Sequence, residues 1–422
     1  MQREGIIEKV IYGGYSLLRD SEDEKIVLLD RGYPGERVKY TITKEKKDVD
    51  FASVDEILVH SRERVRPRCE YFEKCSGCAF MDIKYSSQLK LKREIIIDQI
   101  SRITKLDPLE IEEKVGSVIG MNDPYYYRNK IELSVKKGEV GYIGKNGKIL
   151  PIRECKIADK KINKVIRAIS NALNEYPSQG IRHIIIKSTS TGESMVNIVL
   201  KSPMKSNYLI KSLKNIVDSI FITSNKGWSK LVYGEGVIHE EIDDMTLLVR
   251  PKSFFQTNLI QLKKMIEHVK KIVENEKIEK IVDAYGGIGL FSLMLSRKIK
   301  EAVVVDLSKD SISAGIHTAK MNGIKNVNYV NLSFEDYDYP EDHDLIVDPP
   351  REGLSKEVLG KIEKVGPEKI LYISCNLATF SRDLAKLLSF GYNMQYVTPF
   401  DMFPHTYHLE TLTLLTKQEV IK

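Results

Sequence analysis

The stretch from Lys280 to Lys298 reads KIVDAYGGIGLFSLMLSRK, and it decides the fold. A short apolar strand, KIVDA, runs into a turn holding Gly286, Gly287 and Gly289, and the apolar run beyond it has the length and composition of a helix start. The same alternation recurs downstream at EAVVVD (301–306), DLIVDPP (344–350) and KILYISCN (369–376). Each apolar strand ends in a polar or glycine-bearing loop. Residues 246–422 are therefore expected to form a doubly wound, Rossmann-like α/β sheet, whose ligands sit at the carboxyl ends of its strands.

Upstream the pattern is different. Residues 1–62 contain short strands split by Gly13-Gly14 and Pro34-Gly35, as in a small OB-like β-barrel. Residues 63–245 mix strands and turns in an α+β region. Within it, Leu89, Ile96, Ile100 and Ile103 predict an amphipathic helix over 86–103 that packs on the C-terminal domain. At 422 residues, 42% hydrophobic and 29% charged, the chain is too long for one core and too apolar for disorder. Its apolar runs are far shorter than the roughly 20 residues of a membrane span. Its first ten residues, MQREGIIEKV, carry charge where a secretory signal would be apolar, so a cytoplasmic protein is expected. A net charge of +6 gives nucleic acid only weak support, but Arg62, Arg64, Arg66 and Arg68 alternate, and an extended segment would turn them to one side.

The chemistry collects at strand ends. A glycine turn lets backbone approach a ligand, and Asp306, ending the next strand, could accept hydrogen bonds from a ribose diol. This serves a nicotinamide cofactor and S-adenosylmethionine alike. Asp348-Pro349-Pro350-Arg351 is a rigid turn, because consecutive prolines fix φ. Arg351 stands where amino-group methyltransferases carry an aromatic residue to stack on the base. Cys375, in Ser374-Cys375-Asn376, opens a helix whose dipole is expected to lower the thiol pKa. A thiolate suits uracil, since addition at C6 makes C5 nucleophilic. The C5 hydrogen must then leave as a proton, and Glu410 is the candidate base.

Together these motifs resemble the RNA 5-methyluridine (uracil-C5) methyltransferase family, which methylates ribosomal or transfer RNA. Ser253-Phe254-Phe255-Gln256-Thr257-Asn258, the glycine loop from Asp283, Asp348 to Leu354, Ser374-Cys375-Asn376 and Asp401-Met402-Phe403-Pro404 with His408-Leu409-Glu410 follow the family's order. Tyr127-Arg128-Asn129-Lys130 resembles its central domain, and residues 1–62 its RNA-binding TRAM barrel. The resemblance implies a class I methyltransferase domain with Cys375 as nucleophile and Glu410 as base. It implies S-adenosylmethionine at Gln256, Tyr285, Asp306 and Asp348, and RNA as partner, with ribosomal RNA slightly favoured over tRNA. Nothing in the motifs points to an obligate protein partner. Leu377 replaces the family's usual Pro, Gly286 a frequent Cys, Leu290 a common Asn and Asp306 the more usual Glu.

Cys69, Cys75 and Cys78 have CxxxxxCxxC spacing, with Cys155 apart. By spacing alone, tetrahedral zinc is ahead of or level with iron–sulfur. The resemblance favours a [4Fe–4S] cluster held by all four in a central iron–sulfur domain. Two rival readings of the chain are a non-catalytic RNA-binding protein or chaperone on the same folds and a nicotinamide-dependent oxidoreductase. The retained Cys375, Glu410, Asp348 and Gln256 speak against the first, and the second has no use for Cys375 beside Glu410.

Overall fold

The computed structural model describes residues 2–20, 24–176, 180–203, 207–251 and 255–418. Ser253 and Phe254 of the motif above lie outside the described residues.

The C-terminal sheet has seven strands, ordered Val327–Val330, Glu301–Val305, Lys280–Ala284, Asp344–Val347, Lys369–Ser374, Glu410–Lys417 and Tyr392–Phe400. The first five are parallel, while Glu410–Lys417 runs antiparallel to both of its neighbours. Alternation along the strands divides the core in two. Ile281, Val304, Ile346 and Leu371 face the layer formed by the helices Leu259–Asn275 and Leu290–Leu295. Val282, Val305, Val347 and Tyr372 face the other, formed by Lys356–Val365, Leu377–Ser389 and the upstream helix Tyr85–Thr104.

That upstream helix packs on the C-terminal sheet, and of the stripe read from the sequence Ile96 and Ile100 are buried. Leu91, Ile95, Ile96 and Ile100 are its buried apolar residues, whereas Leu89 is half-buried and Ile103 exposed. Its most consequential residue is polar. Lys92 is wholly buried, and its ammonium donates to Asp401 Oδ1 (2.5 Å), Phe403 O (3.1 Å) and His408 O (2.8 Å). The hydroxyl of Tyr85 donates to the other oxygen of Asp401 at 2.7 Å. A lysine has three N–H donors, and all three are used here.

The N-terminal sheet has six strands, and its edge strands Gln2–Ile6 and Lys9–Val10 follow each other in the chain. It curls around Leu18, Val27, Val38, Tyr40 and Val54. The barrel is firmly mounted: Val10 and Tyr33 enter the core of the C-terminal domain, and Tyr33 Oη donates to Asp82 at 2.5 Å. Arg64 is not part of an arginine row. Its guanidinium turns inward to make two bonds to Glu36, at 2.6 and 2.8 Å, and an ion pair with Asp82. Pairing with the buried Glu36 carboxylate and with half-buried Asp82 outweighs the alternation of the sequence, and of the four arginines only Arg62, Arg66 and Arg68 stay exposed.

Between these units lies a second seven-stranded sheet, running from the edge strand Ser229–Gly234 to Ile149–Pro151, with Lys160–Glu175 packed on one face. No helix among the described residues is long and apolar enough to cross a membrane.

Replacing Lys92 by Met leaves Asp401 charged and buried without its partner. It is expected to destabilise the fold by about 3–5 kcal/mol, with partial recovery when Asp401→Asn is added. Denaturant unfolding checks this, and a loss below about 1 kcal/mol would reduce the pair to an incidental contact.

Candidate active site

Reversal of the last inner strand brings the two candidate catalytic residues together. Glu410 is the first residue of an antiparallel strand, so it lies at the edge where the parallel strands end. Ser374 pairs in register with Thr411, which sets Cys375, one residue on, opposite Glu410. Glu410 is buried, 2% exposed, while Cys375 is half-buried.

Burial pushes the Glu410 carboxyl well above the usual carboxylate range, helped by Asp348 and opposed by Arg351. The Cys375 thiol is raised to about 11, first by burial and then by Glu410 and Asp348, with Arg351 pulling it down. This corrects the expectation of a lowered thiol pKa. The helix start is present, but two carboxylates and loss of water outweigh its dipole. Asp348 is raised to about 7 by burial and by Asp283. Cys375, Glu410, Asp348 and Arg351 thus act on one another as a charged group.

The two turns are stitched together. Asn376 Nδ2 donates to Arg351 O at 2.7 Å, and Thr379 Oγ1 donates to the same carbonyl at 3.1 Å. Asn376 also caps the helix Leu377–Ser389, its Oδ1 accepting from the amides of Ala378 and Thr379. Buried Leu377 fills the position of the usual proline.

Gln256, Tyr285 and Asp348 line one small cavity of about 60 Å³ with Asp283 and Gly287. Asp306 does not line it. Its carboxylate braces the turn, accepting from Gly287 N at 3.0 Å and Ser308 N at 2.7 Å. Tyr285 has φ +58°, a left-handed conformation costly for a bulky residue, followed by Gly287 and Gly289 at +60° and +76°. A Cβ at Gly286 would lie 2.8 Å from the Asp283 carboxyl, so a side chain there, such as the family's frequent Cys, would need that carboxyl to shift.

Asp283 is the residue sequence reasoning passed over. It is buried and lines the cavity; Oδ2 accepts from Ser292 Oγ, but Oδ1 has no partner among the described residues. Burial raises its carboxyl to about 6. The signal available in the sequence was its place at the end of the central strand.

Tyr127-Arg128-Asn129-Lys130 clamps two loops of the site. Asn129 bonds the loop after residue 254 through Gln256 O and Thr257 O, each at 3.0 Å, and Tyr127 Oη donates to Pro404 O at 3.1 Å. Ala79 N and Phe80 N both donate to His405 O at 2.9 Å, tying the segment after Cys78 to the loop that leads into Glu410.

Cys69, Cys75, Cys78 and Cys155 surround one cavity of about 280 Å³ and are half-buried. The Cys78 thiol is pushed up by burial and then by Cys155, Cys75 and Cys69. Among the described residues, no three His, Cys, Asp or Glu side chains converge closely enough to hold a metal ion.

Comparison with known proteins agrees with this geometry. Residues 119–418 match the family model described as tRNA (uracil-5-)-methyltransferase. An RNA methyltransferase of Thermotoga maritima is 33% identical, the match covering 97% of this chain and 98% of the relative. The 23S rRNA (uracil(747)-C(5))-methyltransferase of Pyrococcus horikoshii is 30% identical, covering 99% and 100%. The solved tRNA (uracil-54, C5)-methyltransferase of Pyrococcus abyssi, in complex with S-adenosyl-L-homocysteine, superposes with a TM-score of 0.79. It is 26% identical, covering 98% of this chain and 100% of that one. A catalytic sheet of this topology, a family match across most of the chain and full-length relatives lead to one conclusion: the chain belongs to the tRNA (uracil-5-)-methyltransferase family of RNA-methylating enzymes.

Proposed function

We propose that the protein methylates C5 of a uridine in structured RNA, with S-adenosylmethionine as methyl donor, through a covalent adduct between Cys375 and C6. The observation that carries this reading is the register that sets Cys375 opposite Glu410 beside Asp348 and Arg351.

When bound, S-adenosylmethionine supplies an electrophilic methyl group on a sulfonium. The chain's residues fit it: the unpartnered Oδ1 of Asp283 offers an acceptor, Gln256, Tyr285 and Asp348 line the same cavity, and Asp306 holds the glycine turn open. The related Pyrococcus abyssi enzyme was solved with the demethylated cofactor.

The thiol proton must leave before sulfur attacks. Asp348, which with burial and Glu410 raises the Cys375 thiol, is the acceptor its proton goes to, and Glu410 is left to take the later one. As the S–C6 bond forms, the C5=C6 electrons move toward the C4 carbonyl as an enolate; C5 then takes the methyl group as the donor's sulfur–methyl bond breaks and its electron pair stays on sulfur, which leaves as a neutral thioether. Glu410 accepts the C5 proton. The electrons of that C–H bond rebuild C5=C6, and the Cys375 thiolate leaves. Arg351 lowers the cost of negative charge on both residues.

Ribosomal RNA is the substrate we propose first, supported by the 23S-specific relative aligned over essentially its whole length. A tRNA substrate is the second reading, supported by the solved tRNA enzyme. Mapping 5-methyluridine in RNA from a deletion strain decides between them.

The four cysteines lining one cavity support a metal centre there, and the resemblance in their spacing favours a [4Fe–4S] cluster over a single zinc ion. Cys69, Cys75, Cys78 and Cys155 would hold it as a structural staple next to the His405 turn. Anaerobically purified protein is expected to contain about four iron atoms and as many sulfides. Stoichiometric zinc without sulfide would overturn this reading.

Cys375→Ala is expected to abolish both methylation and the RNA adduct. Glu410→Gln is expected to attack and methylate but to release product slowly, accumulating a methylated adduct that survives denaturing electrophoresis. The same substitution removes a negative neighbour of the thiol and so lowers its pKa. Adduct formation on 5-fluorouridine RNA at neutral pH is therefore expected to be no slower than in the wild type. An adduct formed by Cys375→Ala, or wild-type turnover by Glu410→Gln, defeats the assignment.

A further inference from the structure

The N-terminal barrel reaches the reacting end of the catalytic sheet. Its first hairpin joins Lys9–Val10 to Ser16–Arg19 through Ile11-Tyr12-Gly13-Gly14-Tyr15, closed by Ile11 N to Tyr15 O at 2.8 Å and Gly14 N to Ile11 O at 3.1 Å. The tip lies on the site. Gly14, at φ +78°, is so close to Tyr407 that a Cβ there would fall 2.6 Å from its ring, and Tyr407 belongs to the loop leading into Glu410. Tyr12 Oη donates to Asn376 Oδ1 at 2.7 Å, and the hydroxyl lies within charge range of Cys375 and Arg351.

Asn376 is the residue on which the thiol's placement turns. It follows Cys375 directly, its amide nitrogen holds the Arg351 carbonyl, and its amide oxygen caps the next helix. The helix begins with Leu377, which lacks the fixed φ that proline would give. The Asn376 side chain must therefore be oriented by what it touches: the Ala378 amide and the Arg351 carbonyl decide which end is oxygen, and the Tyr12 hydroxyl adds a third anchor on that oxygen.

We propose that Tyr12, carried by the N-terminal barrel, is a positioning residue for the Cys375 thiol and acts through Asn376. This rests on Cys375 being the nucleophile. It gives the barrel a part in the reaction in addition to RNA affinity, and it makes the site incomplete without residues far upstream of the matched family region.

The test uses full-length Tyr12→Phe, which removes one hydroxyl. Adduct formation with 5-fluorouridine RNA at saturating RNA is expected to slow about ten-fold, because small misplacements of reacting atoms are costly. The RNA dissociation constant is expected to stay within about two-fold, and the melting temperature to be unchanged. Asn376→Ala is expected to slow the same step by a similar factor, with the double variant no slower than the slower single one. An unchanged rate in Tyr12→Phe would overturn the proposal. So would a loss expressed wholly as weaker RNA binding, a loss accompanied by a lower melting temperature, or losses that multiply in the double variant. Cys375→Ala runs in parallel: an adduct in that variant would remove the nucleophile reading itself, whereas its absence together with a wild-type rate in Tyr12→Phe removes only the role given to Tyr12.

Discussion

The Lys92 ammonium sets the position of the loop that supplies the candidate base. Removing a lysine and an aspartate from water is expensive, and their attraction offsets the cost only when the remaining donors and acceptors are satisfied. Here they are. Lys92 binds Asp401, Phe403 O and His408 O, and Tyr85 takes the second oxygen of Asp401. The loop is thereby gripped at its beginning, its middle and two residues before Glu410. Apolar side chains of equal volume could fill the space, but they would not fix two backbone carbonyls and a carboxylate to one atom.

Around that grip the loop receives contacts from every part of the chain. The 79–80 amides hold His405, Tyr127 holds Pro404, Asn258 Nδ2 donates to Met402 O, and Gly14 of the barrel lies against Tyr407. Such convergence explains how a 2% exposed glutamate can be kept at a strand end, where backbone would otherwise be free to relax. It also gives the cysteine-lined cavity a mechanical connection to the chemistry, because Cys78 immediately precedes one of these contacts.

Much of this was legible in the sequence because it is written in local pattern. The strand ends at Asp306, Asp348 and Cys375 follow from apolar runs closed by glycine, proline or asparagine. Glu410 was found through its place at the start of an apolar strand, although only the antiparallel direction of that strand explains why a first residue shares an edge with last residues. What stayed hidden depends on partners distant in sequence. Lys92 sits within a helix rich in Lys, Arg and Glu and looks like a solvent-facing charge. Arg64 alternates with its neighbours yet turns toward Glu36, a residue of the barrel. The thiol pKa was misjudged for the same reason: the helix start is local and visible, whereas the opposing carboxylates come from other strands.

The antiparallel strand has a consequence for how the enzyme comes into being. Glu410–Lys417 is not an edge strand; it is inserted between Lys369–Ser374 and Tyr392–Phe400, both made earlier on the ribosome. The sheet therefore cannot close until its penultimate position is filled by a strand synthesised after both of its neighbours. A nascent chain long enough to carry the thiol still lacks the pocket around it, and the insertion that completes the pocket brings the carboxylate with it. Under the proposed mechanism an unfinished chain thus has no assembled site in which to capture RNA in an adduct it could not resolve, since the proposed nucleophile and the proposed base are brought together by the same strand insertion.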